Sequence, residues 1–376
     1  PGPCSLPMPG LVAAIAAEHC EDVDRLGRFP AEAVQALRDE RCLWAVVPAS
    51  HGGGGAELAE IATACSALAR GCSATAMVFA MHAIQVLSIA RHLDDAPWFD
   101  AWLRRAAVDQ RLVASVTSEI STGGDLGSST AAVTPAADGV QFSKRAPTVS
   151  YGSYADDLLT TLRRDEAAEP GDQVLVLTES RQHQLEPAGQ WDVLGMRGTC
   201  SPGFVVRGSI PAEQVLPTPF AQVSAQSMVP ISHVLWAHVW LGIATEAFVR
   251  ARDLVRSRSG DGRQLTATHE QLMLLRAVTA GGLAELVSGS AEPDRPALST
   301  MAAALRFNAL KLTASELAPR VCLSALEVCG IAGFRNDGPA SIGRLLRDAL
   351  SGPVMVANSR LRHRNAGLLL VVQAPW

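Results

Sequence analysis

The sequence VTSEISTGGDL, residues 116–126, lies where a helix-like pattern gives way to a strand-like one. Its two adjacent glycines allow the backbone to approach a ligand closely. Hydroxyl groups that donate and accept hydrogen bonds come from Thr117, Ser118, Ser121 and Thr122. An ordinary polar turn has a similar composition, because glycine-rich loops are common between elements. The stretch is therefore a candidate ligand loop whose surroundings must decide its role.

Composition indicates a large globular protein that acts on small molecules. The chain has 376 residues, of which 48% are hydrophobic and 18% charged, enough to bury two or three structural units. A net charge of −5 without a long lysine or arginine run argues against nucleic acid or an anionic membrane as partner. No apolar run approaches the roughly 20 residues of a membrane helix. We therefore expect a soluble, cytoplasmic protein.

The eight cysteines show no C-x-x-C spacing and lie mostly among alanine, leucine and valine. A structural zinc site needs clustered ligands, and disulfide frameworks are typical of short secreted chains. We therefore expect small core residues, and no bound metal.

The order of patterns predicts a segregated α+β fold. Helical spacing dominates residues 1–112, short extended runs dominate residues 113–220, and long helical patterns return in residues 221–376. Asp138 and Gly139 separate two of the extended runs, which is a strong hairpin signal. Helices, strands and helices in succession favour three units rather than alternating βαβ repeats. We predict an N-terminal helical domain, a barrel-like middle β domain and a C-terminal four-helix bundle.

Four motifs in this order resemble the acyl-CoA dehydrogenase family of flavoproteins along nearly the whole chain. Residues 47–54 are similar to its V-P-x-x-x-G-G-x-G turn, and residues 116–126 to its T-E-P-x-x-G-S-D loop. WDVLGMRGT, residues 191–199, contains its L-G-M-R-G-T turn. Gly333 and Phe334, followed by the RDA sequence at residues 347–349, resemble its G-G-x-G-F…R-D-A segment. The chain departs from the pattern at Ile120 and Gly124, where the family has proline and serine.

The resemblance implies FAD bound between the β domain and the C-terminal helices, with the cofactor carrying the redox chemistry. Thr117 and Ser118 fall where the family hydrogen-bonds the flavin pyrimidine, and Gly124 falls where its serine meets cofactor or substrate. Thr148 corresponds to the threonine of the W-I-T motif near the reactive flavin nitrogen, although the motif here reads APT.

The resemblance also implies an oligomer. Arg258 falls on the arginine that reaches the FAD of a neighbouring subunit, and Glu327 takes a glutamine position that serves the same cofactor. A cationic fork is a natural phosphate ligand. If both residues contact the cofactor of a neighbouring subunit, a homodimer is the minimum active unit; the resemblance implies a homotetramer as the usual assembly.

The family's catalytic glutamate is missing from both places where it occurs. Residues 350–358, after the RDA segment, contain no acid, and Ser232 stands at the second location. If the enzyme still performs α,β-dehydrogenation of a thioester, another base must act, and His233 or Glu119 is the candidate. His233 falls on a family arginine beside the substrate. Ser232 and His82 are then candidate substrate contacts.

Two alternatives to dehydrogenation remain open. The fold supports flavin-dependent monooxygenation, which requires no α-proton base and leaves His82, His233 and His238 to orient substrate. A protein without catalysis, serving as a flavin-binding or assembly subunit, is the third. The leading hypothesis is dehydrogenation of an acyl or aminoacyl thioester, with the electron acceptor left open.

Family analogy places the acyl group on coenzyme A or on a carrier protein. Coenzyme A needs cationic contacts for its phosphates, whereas a carrier protein needs a basic surface outside the tunnel. Arg360, Arg362, His363 and Arg364 form a basic cluster that suits either ligand or simple solvation. The departures from the family pattern slightly favour a carrier protein.

Overall fold

The protein is described by a computed structural model covering residues 10–123, 125–291 and 295–373. Helices come first, strands follow, and helices return, which confirms the predicted α+β class. Six of the seven cysteines in these ranges are buried, as predicted for small core residues, and Cys200 is half-buried.

From residue 10 onward, the N-terminal region contains five α-helices: α1 (Leu11–Leu26), α2 (Ala31–Asp39), α3 (Leu58–Gly71), α4 (Ser73–Ala90) and α5 (Pro97–Asp109). Helix α3 begins with a capping box in which the backbone N–H of Glu57 donates to Glu60 Oε2 over 2.9 Å. Pro97 occupies the first turn of α5, where its missing N–H costs nothing. Helix α4 is buried on nearly every side, which explains why its sequence shows little helical amphipathicity.

In the described residues, seven strands form two sheets: β1 (Val113–Val116), β2 (Thr134–Ala136), β3 (Gly139–Ala146), β4 (Asp157–Arg163), β5 (Gln173–Glu179), β6 (His183–Pro187) and β7 (Phe204–Ile210). The first sheet has the order β1–β4–β5, with β1 and β4 parallel. The second is antiparallel in the order β2–β3–β7–β6. The Asp138-Gly139 hairpin is confirmed between β2 and β3, with Ala136 opposite Gly139. Since β1 and β2 belong to different sheets, the glycine-rich loop crosses between them.

The C-terminal region contains α6 (Phe220–Val223), a π-helical turn (Ser224–Met228), α7 (Val229–Ser257), α8 (Thr266–Gly289), α9 (Met301–Cys329), α10 (Ile331–Phe334), α11 (Gly343–Ala349) and α12 (Asn358–Leu369). Helix α7 is central because it packs against α3, α8 and α9. At the α3 contact, a Cβ added to Gly242 would lie 2.3 Å from the carbonyl oxygen of Ser66. The absence of a side chain at Gly242 therefore allows the two helices to approach closely.

Two family-like motifs, LGMRGT at residues 194–199 and RDA at residues 347–349, connect the N-terminal, middle and C-terminal regions through hydrogen bonds. The carboxylate of Asp348, in the RDA segment, accepts a 2.7 Å hydrogen bond from the backbone N–H of Met196. Arg347 donates to Asp24 of α1 over 3.0 Å, and Arg197 donates to the Asp24 carbonyl over 2.8 Å. A Cβ on Gly195 would approach the Arg347 carbonyl oxygen to 2.1 Å. These motifs therefore act in folding, by joining segments that are distant in sequence.

Three helical segments are long and apolar enough to cross a membrane, contrary to the sequence-based expectation: Ser73–Ala90, Phe220–Ser257 and Gly262–Gly289. Isolated polar residues divide each of these segments, so none of them forms a single apolar run in the sequence. In the most apolar 18-residue stretch of the first two, 89% and 83% is buried inside the protein, so packing in the core accounts for their composition. In the corresponding stretch of the third segment, which contains α8, only 22% is buried.

Candidate functional site

The glycine-rich loop begins directly after β1 and meets the end of β3. Ser118 Oγ donates to the carbonyl oxygen of Thr148 over 2.7 Å, and the two side-chain hydroxyls lie 3.4 Å apart. Thr117 accepts from Ser115 over 3.3 Å at the end of β1. Thr148 is exposed, and Thr117 and Ser118 are half-buried. The structure thus brings together three of the residues predicted to contact the cofactor.

Glu119 is a buried anchor for this loop. Ser129 Oγ donates to its carboxylate over 2.6 Å and Ser121 Oγ over 2.7 Å. The backbone N–H groups of Thr130 and Ala131 donate over 3.0 and 3.1 Å, and the Thr130 hydroxyl donates as well. The carboxylate therefore holds the beginning and the end of the crossover together.

Lys144 on β3 completes this anchor. Its Nζ lies 3.6 Å from Glu119 Oε2 and donates to the carbonyl and hydroxyl oxygens of Thr161 over 2.7 and 2.8 Å. Burial alone would raise the pKa of Glu119, but its hydrogen bonds and the Lys144 charge outweigh this effect and hold the pKa at about 2. Burial lowers the pKa of Lys144 to about 8. A carboxylate this acidic and this fully hydrogen-bonded is poorly suited to accept a substrate proton.

Gly124, predicted to contact cofactor and substrate, lies outside the described residues. Its neighbour Gly123 has a φ of +61°, and an added Cβ there would meet no atom within 4 Å. From the predicted basic cluster, Arg360 of α12 donates to the Gly123 carbonyl, and Arg362 donates to Glu316 over 2.6 Å. Both arginines thus have protein partners, which reduces the case for a carrier-protein surface.

His82 holds the N-terminal region to β1, contrary to its predicted contact with substrate. Its Nε2 donates to the Leu43 carbonyl over 3.0 Å, and its Nδ1 accepts from the backbone N–H of Val113 over 3.1 Å. The ring is fully buried, and this burial lowers its pKa to about 3. Both ring nitrogens are occupied, so His82 has no free atom for a substrate.

Ser232 and His233 lie in the first turns of α7, and both are buried. Ser232 Oγ donates back to the Met228 carbonyl over 2.5 Å, which uses its only proton. His233 Nδ1 donates to the Phe307 carbonyl over 3.0 Å. Burial, aided by the charge of Lys311, lowers the pKa of His233 to about 3, so the ring is neutral. Its Nε2 therefore carries a lone pair, and it has no hydrogen-bond partner in the described ranges.

Trp236 stands one turn after His233 on α7. The two ring centroids are 6.1 Å apart, and the buried indole N–H of Trp236 has no partner among the described residues. A donor and an acceptor are thus available on the same stretch of helix. His238 differs, because its Nδ1 donates to the Val234 carbonyl of the preceding turn over 2.9 Å.

Lys311 on α9 is a buried charge that the sequence analysis missed. Its Nζ donates to Asn358 Oδ1 over 2.6 Å and lies 6.0 Å from the centre of the Trp240 ring. Burial lowers the pKa of Lys311 to about 8. The hydrogen bond from Lys311 to Asn358 holds the end of residues 350–358 in place. This is one of the two segments in which the family carries its catalytic glutamate. A single lysine in the apolar run FNALKL, residues 307–312, was the available signal.

Arg258 and Glu327 are exposed on the far ends of α7 and α9, away from the loop in sequence. Burial raises the pKa of the Cys329 thiol at the end of α9, and the charge of Arg258 partly opposes this effect. Arg258 therefore lies near the end of α9. No cluster of three or more His, Cys, Asp or Glu side chains suited to a metal occurs in the described parts of the chain.

Comparisons with known proteins agree with this arrangement. The family descriptions "Acyl-CoA dehydrogenase, N-terminal domain" and "Acyl-CoA dehydrogenase, C-terminal domain" match residues 10–107 and 224–355. L-evernosamine nitrososynthase from a Micromonospora species is 27% identical over 370 residues, which cover 92% of this chain and 84% of the relative.

Two solved structures share the fold. One is KijD3 in complex with FMN and dTDP-3-amino-2,3,6-trideoxy-4-keto-3-methyl-D-glucose, with a TM-score of 0.85, 22% identity, and coverage of 98% of this chain and 94% of that one. The other is methanesulfinate monooxygenase MsuC from Pseudomonas fluorescens, with a TM-score of 0.81, 19% identity, and coverage of 99% of both chains. The family matches at both ends, the motifs and the common fold show that this chain belongs to the acyl-CoA dehydrogenase family of flavoproteins.

Proposed function

We propose that this protein is a flavin-dependent monooxygenase rather than a thioester dehydrogenase. The observation that carries the proposal is the absence of a competent base for an α-proton. Neither family location holds a carboxylate, because residues 350–358 contain no acid and Ser232 stands at the other position. Monooxygenation inserts one oxygen atom of O2 into the substrate and reduces the other to water, and it needs no such base.

Neither replacement base suits dehydrogenation. Glu119 accepts hydrogen bonds from loop residues on both sides of the crossover and has a pKa of about 2. The pKa of His233 is about 3, so its conjugate acid is too strong for the ring to remove a weakly acidic carbon-bound proton efficiently. A related nitrososynthase and the fold shared with a monooxygenase support the same choice.

The residues around the loop fit a flavin. Thr117, Ser118 and Thr148 offer hydroxyl groups at the junction of β1 and β3, and a Cβ added to Gly123 would meet no atom within 4 Å. A bound reduced flavin supplies the electrons that activate oxygen. Because Ser118 donates to the protein, its oxygen can still accept a hydrogen bond from the cofactor. The proposed cofactor is a flavin, either FAD, which the family resemblance implies, or FMN, which the KijD3 complex contains.

His233 and Trp236 are proposed to hold the group that becomes oxygenated. The unprotonated Nε2 of His233 accepts a hydrogen bond from an amine or hydroxyl, and the Trp236 N–H donates one. The amine must be neutral to react, because an ammonium group has no lone pair to attack oxygen, and the neutral His233 ring can accept a hydrogen bond from its N–H. We therefore propose a primary amine as the substrate group. An amino sugar attached to a nucleotide is the leading substrate class, by analogy with the related L-evernosamine nitrososynthase and with the dTDP-linked amino sugar bound to KijD3.

The test compares two reactions with the same purified protein. Reduced flavin, oxygen and a dTDP-linked 3-amino sugar are mixed, and mass spectrometry follows the gain of one oxygen atom by the sugar. In parallel, the oxidised protein is mixed anaerobically with thioesters on coenzyme A and on a carrier protein. Flavin bleaching by a thioester, without oxygenation of the amine, would restore the dehydrogenase hypothesis.

The His233→Asn variant tests the role of the imidazole. Asparagine can still donate to the Phe307 carbonyl but lacks the Nε2 acceptor. We expect kcat/KM for the amine to fall at least about tenfold, since one lost charge-neutral hydrogen bond costs roughly 0.5–1.5 kcal/mol and misorientation adds to it. His238→Asn is the matched control, with little change expected. Equal activity of both variants would remove His233 from the site.

A further inference from the structure

A separate cavity lies at the C-terminal end of α4, facing the segment that leads into α7. Its volume is about 380 Å³. The polar lining includes Arg91, His92, Thr218, Gln222, Gln226 and Arg295. Asp94, which is exposed at the rim, is the one carboxylate among the described lining residues. Positive charge and neutral donors therefore predominate.

Arg91 has an unused donor in this cavity. Its Nη1 is buried and has no hydrogen-bond partner among the residues that the structure describes. Arg295 Nη2 donates to the backbone carbonyl of Arg91 over 2.7 Å, which brings the second guanidinium close. Burial, and then the charge of Arg295, lowers the pKa of Arg91 to about 10. A buried cation beside a like charge is costly unless an anion compensates it.

The neighbouring groups complete an environment suited to an oxyanion. His92 Nε2 is 3.0 Å from Ser227 Oγ, and burial lowers the histidine pKa to about 4, so the ring is neutral. The Gln222 amide donates to Gln226 Oε1 over 3.4 Å, a long contact that a ligand could replace. Two guanidinium forks with nearby amides match the geometry of phosphate oxygens better than that of a single small ion.

We propose that this cavity binds a phosphate group through Arg91 and Arg295, either as free phosphate or as part of a nucleotide. The π-helical turn that contributes Gln226 continues directly into α7, where Ser232 donates to the Met228 carbonyl. The phosphate site is therefore linked by one continuous helical segment to His233. The binding does not depend on the reaction catalysed, so it stands or falls separately from the monooxygenase proposal.

The test measures binding by isothermal titration calorimetry with the flavin-loaded, full-length protein. Inorganic phosphate and dTDP are titrated separately into the wild type, Arg91→Met and Arg335→Met. Arg335 is an exposed arginine paired with Asp337 and serves as the control. We expect Arg91→Met to weaken binding at least tenfold and Arg335→Met to leave it unchanged. Tighter binding of dTDP identifies a nucleotide diphosphate as the ligand, whereas equal affinities indicate free phosphate.

A second variant and a second readout keep the proposal testable if Arg91→Met folds poorly. Arg295→Lys retains the charge but loses the planar fork, so we expect an intermediate loss of affinity. Without any anion, Arg91→Met should melt at the same temperature as the wild type or higher, because it removes a half-buried cation that lies beside the like charge of Arg295. The proposal is overturned if neither anion binds, or if both bind equally well to wild type and Arg91→Met.

Discussion

At the scale of single residues, Glu119 shows most clearly that a residue in a family-like motif can have a structural role instead of a catalytic one. Its position in the family-like loop suggested chemistry, but its carboxylate ties the crossover to β3 through Lys144. The Glu119→Gln variant would place an amide NH2 against these donors and leave a buried lysine unpaired. We expect a loss of about 3 kcal/mol in the free energy of unfolding, the range for breaking a buried ion pair.

Flavin affinity should fall together with this stability, because the same loop carries Thr117 and Ser118. Thermal denaturation and flavin titration measure both effects, and Glu186→Gln, in the exposed pair with Arg207, is the matched control. A variant with normal stability and flavin affinity but no turnover would instead support Glu119 as the base.

At the scale of elements, α8 is apolar yet largely exposed. Met273 and Leu274 are 46% and 59% exposed, and Val287 is 44% exposed. Exposed apolar surface of this kind commonly marks a protein interface. We propose that this face of α8 packs against a second copy of the chain, which would support the predicted homodimer or homotetramer.

The Leu274→Glu variant should dissociate this assembly, since a charge would be buried without a partner. Sedimentation velocity would then show a shift to monomer, and Val108→Glu, at an equally exposed position on α5, should not change the sedimentation coefficient. If Arg258 and Glu327 contact a neighbour's cofactor, the monomer also loses FAD affinity but keeps FMN affinity. A wild-type protein that already sediments as a monomer would refute the interface.

At the scale of the whole molecule, buried neutral histidines make stability depend on pH. Burial lowers the pKa values of His82 and His233 to about 3 and that of His92 to about 4, from 6.5. The unfolded state therefore binds more protons below pH 6.5, and stability is lost as the pH falls toward these values. Each histidine contributes up to about 1.4 kcal/mol per pH unit.

Urea denaturation at pH 7.0, 6.0 and 5.0 measures this dependence, and we expect the midpoint to decrease at each step. The window lies above the ordinary carboxyl pKa, so exposed acids contribute little. Burial raises the pKa values of Asp157 and Asp348, and proton uptake by these two carboxyls in the folded state acts in the opposite direction to the histidines. An unchanged midpoint between pH 7.0 and 5.0 would mean that these rings are charged or exposed in the folded protein.

Much of the fold could be predicted from local pattern. The long helices α7, α8 and α9 and the Asp138-Gly139 hairpin follow from apolar periodicity and turn chemistry, which act over a few residues. Local pattern does not predict strands β1 and β6 or helix α12. Pairing across the sheet stabilises short strands such as β1, and that partner is not visible in the local sequence.

The sequence by itself determined the order of helices and strands, the family motifs and the absence of the usual glutamate, because these depend on residue identity and spacing. Only the tertiary structure decided which polar groups remain free. The polar atoms of the Glu119 and His82 side chains form hydrogen bonds with other segments. In contrast, His233 Nε2 and Arg91 Nη1 have no hydrogen-bond partner among the described residues. Hydrogen bonding and burial depend on contacts distant in sequence, and these contacts determine whether a polar side chain stabilises the fold or is available to a ligand.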